Sequence, residues 1–142
     1  MTRTALARRA PIRRVRRKRP LRKLLWAEFA RLIRRRDGGC MVQQTVRDRF
    51  GKCGGSLAAS HIYPKGEYPL MELYPPNVKM LCYRHHIHWW HKNPTEATDW
   101  WRESLRDPEV VAMLDALRQN SLSRKGMTET DHRAEWALHG LT

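Results

Sequence analysis

The chain of 142 residues has few cysteines and no long apolar run, and each absence excludes a class of protein. Its cysteines number three, and an odd number argues against a closed framework of disulfides. No stretch approaches the ~18 consecutive apolar residues that a membrane-spanning helix needs. The N-terminal segment also lacks the continuous apolar core of a secretory signal. We therefore expect an intracellular protein, in which cysteine near histidine is typical of metal binding.

Acidic residues are missing from the start of the chain. The segment from Met1 to Lys23 contains 11 basic residues and no acidic one, and the whole chain has a formal net charge of +14. Positive charges in such excess repel one another unless a polyanion is near, and nucleic acid is the polyanion we expect. The alternatives are an anionic membrane surface and a solvated charge run that does little. We predict a disordered DNA-binding arm over residues 1–20, with phosphate contacts from Arg13, Arg14, Arg16, Arg17 and Lys18.

Hydrophobic periodicity predicts a small α+β fold for the rest of the chain. An amphipathic helix is expected over residues 21–36, and a later one is expected to start at Asn93, with Glu96 as its capping-box acid. We expect one folded domain over residues 21–120, followed by a linker and a short helix over residues 121–142. The remaining predicted elements are strands over 57–63 and 77–82, a helix over 83–92, and a helix that starts at Asp107-Pro108.

Residues 60–91 contain five of the seven histidines. The predicted order is a strand with His61, a proline-rich loop, a strand that begins at Asn77, and a histidine-rich helix. This order can place a general base on the first strand opposite metal ligands on the helix, with an asparagine between them to fix the geometry. The alternative for His61 is a buried histidine that serves only the fold.

The spacing of His61, Asn77 and His86 resembles the HNH endonuclease motif. Residues 25–101 are also similar to the phage recombination nucleases of the NinG type. In those proteins an amphipathic helix ends in an arginine-rich element, here residues 33–37, and leads into a cysteine-bearing segment, a "GH" or "SH" strand, and an "N…C..C/H" pattern. The resemblance implies a small ββα-metal core with flanking α-helices, and a nuclease domain over residues 21–120.

The resemblance also implies roles for individual residues. His61 would be the general base that takes a proton from the attacking water, because its ordinary pKa suits this role at neutral pH. Asn77 would orient His61 through its amide or lie near the metal, and His86 and His91 would be ligands of a catalytic divalent ion. Further charge for DNA phosphates would come from Lys65, Lys79 and Arg84. Apart from the resemblance, the end of the first predicted helix has a basic face with Arg34, Arg35 and Arg36, which is either solvated or in contact with phosphate.

One position departs from the family pattern. Many HNH sites place an aspartate ligand just before the base histidine, where this chain has Ser60. A hydroxyl is a poor ligand beside a carboxylate. The colicin-like version uses histidine ligands instead, which His86 with His91 or His88 can supply. For His88 the alternative is a packing or solvent-facing residue of the helix.

Members of the family often carry a structural zinc. Cys82 and His85 have the C-x2-H spacing of one half-site, whereas Cys40 has no C-x2-C partner and Cys53 is the remaining thiol. A Cys3His site from Cys40, Cys53, Cys82 and His85 suits tetrahedral zinc. The alternative is that Cys40 and Cys53 are ordinary thiols and that tryptophans alone hold the core.

Three hypotheses for function follow. The first is a DNA endonuclease that uses Mg, Mn, Ni or Zn, and the second is an inactive zinc-stabilised nucleic-acid-binding module. The third is a phage accessory protein whose arm binds a protein partner. The family resemblance suggests branched DNA in phage recombination or processing, in the cytoplasm of a bacterial host and without a membrane. The oligomeric state, the native ion and the choice between nicking and double-strand cutting are not predicted.

Overall fold

The computed structural model describes residues 20–45 and 50–142, so the arm predicted over residues 1–20 lies outside them except for Pro20. The described residues form a small α+β fold with five α-helices and a two-stranded antiparallel sheet. No helix among them is long and apolar enough to cross a membrane. The elements are α1 (Leu21–Asp37), α2 (Met41–Thr45), β1 (Leu57–His61), β2 (Val78–Cys82), a π-helix (Arg84–Trp90), α3 (Pro94–Ser104), α4 (Pro108–Gln119) and α5 (Glu129–Leu138), with 3-10 turns at Pro69–Met71, Pro75–Asn77 and Ser121–Arg124.

Helix α1 confirms the prediction over residues 21–36 and extends it by one residue. It ends where Gly38 takes a left-handed conformation with φ 67°, and the Gly38 N–H bonds to the carbonyl of Arg34 at 2.9 Å. The last residue, Asp37, is buried and accepts a hydrogen bond from the Met80 N–H at 2.8 Å. This bond fixes the end of α1 against β2. The predicted apolar stripe of Leu25, Phe29, Leu32 and Ile33 is buried.

Strands β1 and β2 pair antiparallel, from Leu57 opposite Cys82 to His61 opposite Val78. Strand β1 ends two residues earlier than predicted because the chain turns at Asn77. The Asn77 carbonyl accepts from the Ile62 N–H at 3.0 Å, and the Asn77 side chain accepts from the Tyr63 N–H at 2.9 Å. His61 is therefore the last residue of its strand, at the edge of the following loop.

The sheet separates two apolar clusters. On one side Val78 and Met80 pack with α1 and with Trp136 of α5. On the other side Leu81 packs with the tryptophans of the π-helix and α3. Tryptophan rings contribute to both clusters, since Trp89, Trp90, Trp100, Trp101 and Trp136 are all buried.

The helix starts follow the sequence signals with one exception. The Asp107 carboxylate accepts from the Glu109 N–H at 2.9 Å and caps α4, as predicted. Helix α3 begins at Pro94, but the expected capping box does not form. The Glu96 carboxylate instead accepts from Trp89 Nε1 at 3.1 Å, so it joins α3 to the π-helix.

Candidate metal centre and histidine cleft

Four potential metal ligands from separate segments meet beside the sheet. Cys40 precedes α2, Cys53 lies in the loop before β1, Cys82 ends β2, and His85 begins the π-helix. The three Sγ atoms lie 3.3, 3.5 and 3.3 Å from His85 Nδ1, and all four ligand atoms lie within 4.8 Å of one another. The predicted set of four is therefore brought together, as a group that can hold a metal ion.

The spacing and chemistry of this Cys3His cluster fit zinc. Zn–S bonds of about 2.3 Å and Zn–N bonds of about 2.0 Å place tetrahedral ligand atoms roughly 3.5 Å apart, close to the observed sulfur–nitrogen distances. His85 Nε2 lies 3.0 Å from the Gly51 carbonyl and 3.2 Å from that of Phe50. Since Nε2 donates there, the lone pair of Nδ1 faces the three sulfurs. The N–H groups of Gly54 and His85 donate to Cys82 Sγ, each at 3.5 Å.

Two of the three thiols have pKa values displaced from the ordinary one, in opposite directions. Burial, with the neighbouring Cys40 and Cys82, raises the pKa of Cys53 to about 12. Burial also acts to raise the pKa of Cys82, but the N–H donors of Gly54 and His85 outweigh it, and the pKa lies below its ordinary value. A bound dication reverses this balance and favours the thiolates. The cluster is thus built to be stable with a metal ion.

A second group of histidines lines an open cleft with a volume of about 590 Å³. His61 reaches it from the end of β1, and His86 and His91 reach it from the π-helix and its C-terminal end. The wall also includes Trp26 of α1 and Lys65 of the loop between the strands. The structure thus places the predicted base and both predicted catalytic ligands at one cleft.

His61 is held by its ring edge and its ring face. Its Nε2 lies 3.0 Å from the carbonyl of Glu72, so Nε2 carries the proton and Nδ1 keeps a lone pair. The indole of Trp26 stacks on the imidazole, with 5.2 Å between the ring centroids and 21° between the planes. Burial lowers the pKa of His61 below its ordinary value, although the nearby Glu72 opposes this. The ring is therefore neutral at pH 7, as a general base requires.

His86 and His91 are adjacent because the helix between them is a π-helix. Five residues apart, they would lie on different faces of an α-helix with 3.6 residues per turn. The wider turn of a π-helix joins residues five apart, and the His91 N–H accordingly bonds to the His86 carbonyl at 3.3 Å. Their Nε2 atoms lie 3.3 Å apart. Burial, with His91 and His61 nearby, lowers the pKa of His86, which favours the neutral form that binds metals.

Asn77 takes neither of the two expected roles directly. Its side chain is fully buried, and Nδ2 donates to the carbonyls of Tyr63 at 3.2 Å and Met71 at 3.1 Å. The side chain also accepts the bond from the Tyr63 N–H, so Asn77 joins the start of the loop between the strands to its end. This loop carries the Glu72 carbonyl that holds His61. Asn77 is thus a positioning residue that acts through the backbone.

The structure also shows the surroundings of Ser60 and His88, for which the sequence left alternatives open. Ser60 is 1% exposed, and its hydroxyl donates to the Ala58 carbonyl at 3.3 Å, so it offers no ligand. His88 is exposed and packs edge-on against Tyr83, with 5.5 Å between the ring centroids. It does not line the cleft, whereas His86 and His91 do.

The residues predicted to contact phosphate differ in their surroundings in the structure. The Arg36 guanidinium binds Asp37 and the carbonyls of Pro75 and Val78, so it contributes to the fold, and its assignment to nucleic acid stays a prediction. Lys79 is buried over Trp101, and burial lowers its pKa to about 8. Arg34, Arg35, Lys65 and Arg84 are exposed, whereas Arg13, Arg14, Arg16, Arg17 and Lys18 lie outside the described residues.

Two residues that hold His61, Glu72 and Trp26, were not predicted from the sequence. Glu72 supplies the carbonyl, and its buried carboxylate is paired with Arg22. Trp26 stands next to the buried stripe of α1 but is only half-buried. The one feature of the sequence that could have indicated a role for Trp26 outside the core is its position as an aromatic residue beside an apolar stripe.

Comparison with models of protein families, with curated proteins and with solved structures finds no match to this chain.

Proposed function

We propose that this protein is a metal-dependent endonuclease of the HNH type, which hydrolyses phosphodiester bonds of DNA. One observation carries the proposal. A neutral histidine with a free Nδ1, a pair of histidines with Nε2 atoms 3.3 Å apart, and an exposed lysine line the same cleft. Together they form a general base, a metal-binding pair and a cation for phosphate, the groups that this hydrolysis uses.

The general base is His61. Its Nδ1 takes the proton of the attacking water, while Nε2–H stays bonded to the Glu72 carbonyl. That carbonyl oxygen also stabilises the imidazolium that forms, because its partial negative charge faces the ring. Asn77 supports this arrangement indirectly, because its side chain is hydrogen-bonded to the loop that bears Glu72.

His86 and His91 would hold the catalytic divalent ion. Bound there, the ion would act as a Lewis acid on the scissile phosphate and stabilise the leaving oxygen. Imidazole suits Ni and Zn, whereas Mg and Mn prefer oxygen ligands, so a set of two histidines does not select the ion and all four are to be tested. Lys65, which is exposed beside the cleft, supplies further positive charge to the substrate.

The Cys3His cluster is proposed to bind a structural zinc. His85 belongs to the cluster and His86 to the cleft, so a metal ion at the cluster also fixes the start of the π-helix. The basic arm and the exposed Arg34, Arg35 and Arg84 are proposed to hold DNA. The NinG resemblance makes branched DNA in phage recombination, in the bacterial cytoplasm, the proposed setting.

The test is a cleavage assay on supercoiled plasmid and on branched DNA with Mg, Mn, Ni and Zn. We expect wild-type protein to cut with at least one ion and His61→Ala to cut far less. His88→Ala is the matched control, because His88 is on the same π-helix but outside the cleft. Equal cutting by wild type and His61→Ala would reject His61 as the base.

A second candidate is an inactive zinc-stabilised nucleic-acid-binding module. Ser60 favours it, because its buried hydroxyl stands where many HNH sites have a ligand aspartate. This candidate predicts one tightly bound zinc, DNA binding, and no cleavage with any ion.

A further inference from the structure

Trp26 differs from the other tryptophans because it packs at the edge of the core and is not buried inside it. It follows the buried Leu25 on α1, yet it is only half-buried and lines the cleft. Its indole makes three ring contacts, to His61 at 5.2 Å, to Phe29 at 5.9 Å, and to the ammonium of Lys65 at 5.3 Å. Two of these three neighbours belong to the cleft.

A single hydrogen bond does not fix an imidazole ring. The bond from His61 Nε2 to the Glu72 carbonyl sets the position of one ring atom. Coupled rotations about the Cα–Cβ and Cβ–Cγ bonds can still tilt the ring plane while Nε2 stays near the carbonyl, which changes the direction of the Nδ1 lone pair. A flat neighbour against the ring face removes this freedom, and the 21° angle between the planes of His61 and Trp26 is that of a stacked pair.

The same contact suits both charge states of the base. After proton transfer His61 becomes a cation, and a cation over the face of an indole is favourable. Trp26 therefore does not oppose the protonated ring as a purely apolar wall would.

We infer that Trp26 is a positioning residue for His61, whose indole fixes the imidazole plane so that Nδ1 keeps the direction needed to take a proton from water. The inference rests on the proposed nuclease function for its purpose. The orientation itself is a property of the folded protein, and it can be measured without any cleavage.

The first measurement is the NMR signature of the His61 ring nitrogens, assigned by comparison with His61→Gln. We expect wild type to show the Nε2–H tautomer alone, Trp26→Leu to show a mixture of both tautomers, and Trp26→Phe to restore the single form. Unchanged His61 signals in folded Trp26→Leu would overturn the inference. Should Trp26→Leu fail to fold, Trp26→Met replaces the indole with flexible bulk and gives the same comparison.

The second measurement separates action through His61 from action through Lys65. We expect Trp26→Leu to lower kcat about tenfold with little change in KM. In a His61→Ala background the same substitution should cause no further loss, because residues that act as a unit are not additive. A further loss in the double variant would show that Trp26 acts on the substrate and would contradict the inference.

Leu24→Ala is the control for both measurements, since Leu24 is exposed on the same helix. It should leave the His61 signals and the kinetics unchanged. If wild type cuts no DNA with any ion, the endonuclease proposal fails by itself, and the tautomer comparison still decides whether Trp26 orients His61.

Discussion

The π-helix and the residue after it contribute to two groups of potential metal ligands that differ in burial and in the number of ligands. His85 enters a cluster with three thiols, where the ligand set is complete, tetrahedral in spacing and largely buried. His86 and His91 face an open cleft, where two imidazoles meet a third that is held by a carbonyl and an indole. Closed four-ligand sites are typical of structural zinc, and open sites with fewer protein ligands are typical of catalytic metals. The comparison shows that two successive residues of one helix, His85 and His86, belong to different sites, one closed and one open.

The largest expected effect is on the closed site. Cys82→Ser removes a thiolate ligand, and structural zinc binding is worth on the order of 10 kcal/mol in small domains. We expect loss of bound zinc and loss of the cooperative unfolding transition, measured by native mass spectrometry and by thermal unfolding. His88→Ala should keep the zinc and the transition. A Cys82→Ser protein that unfolds at the wild-type temperature would show that the cluster is not structural.

Asn77→Ala tests the loop between the two strands, which the Asn77 side chain holds by hydrogen bonds. It leaves the Tyr63 N–H and the Met71 carbonyl without their buried partner, and we expect a loss of about 2–4 kcal/mol in the free energy of unfolding. Urea unfolding gives the value. Asn93→Ala is the matched control, because that amide makes one bond at a more exposed site. Equal losses of unfolding free energy in both variants would show that the Asn77 side chain does not hold the loop.

The pH dependence of cleavage sharpens the assignment of the base. His61 must be neutral to accept a proton, and burial places its pKa below the ordinary value of 6.5. The rate should therefore be level near neutral pH and fall tenfold per unit as pH drops below that pKa. Initial rates between pH 4.5 and 8, with ion binding saturated, provide the profile. A rate that rises toward acid would require a protonated His61 and would contradict its role.

The smallest expected effect concerns the arm, which contributes to affinity and not to chemistry. Deletion of residues 1–20 removes basic residues that would otherwise release counterions from DNA. We expect weaker binding and a flatter slope of log affinity against log salt, measured by fluorescence anisotropy between about 50 and 200 mM salt. An unchanged slope would mean that the arm does not contact phosphate.

Some of these features could be predicted from the sequence because few arrangements were possible. Three cysteines and one histidine at C-x2-H spacing left a single four-ligand set, and the structure brings these residues together. Helix α1 was predictable because its apolar stripe and Gly38 mark both its face and its end.

Other features depend on tertiary contacts that periodicity does not report. The approach of His86 to His91 requires a π-helix, which forms only when residues five apart are hydrogen-bonded. Arg36 looked like one more arginine of a basic face, but the carbonyls of Pro75 and Val78 come to it from the sheet. Trp26 looked like a core residue, because nothing in the sequence shows that α1 passes beside His61.

The most direct test of the account uses protein that carries one zinc per chain, with cleavage of plasmid DNA measured before and after addition of a second divalent ion. The account predicts no cutting by the one-zinc protein alone. With added Mg, Mn, Ni or Zn it predicts cutting that stops when the added ion is removed by desalting, while the first zinc and the fold are retained. Absence of cutting under every ion, with DNA still bound, would contradict the endonuclease and leave the zinc-stabilised binding module.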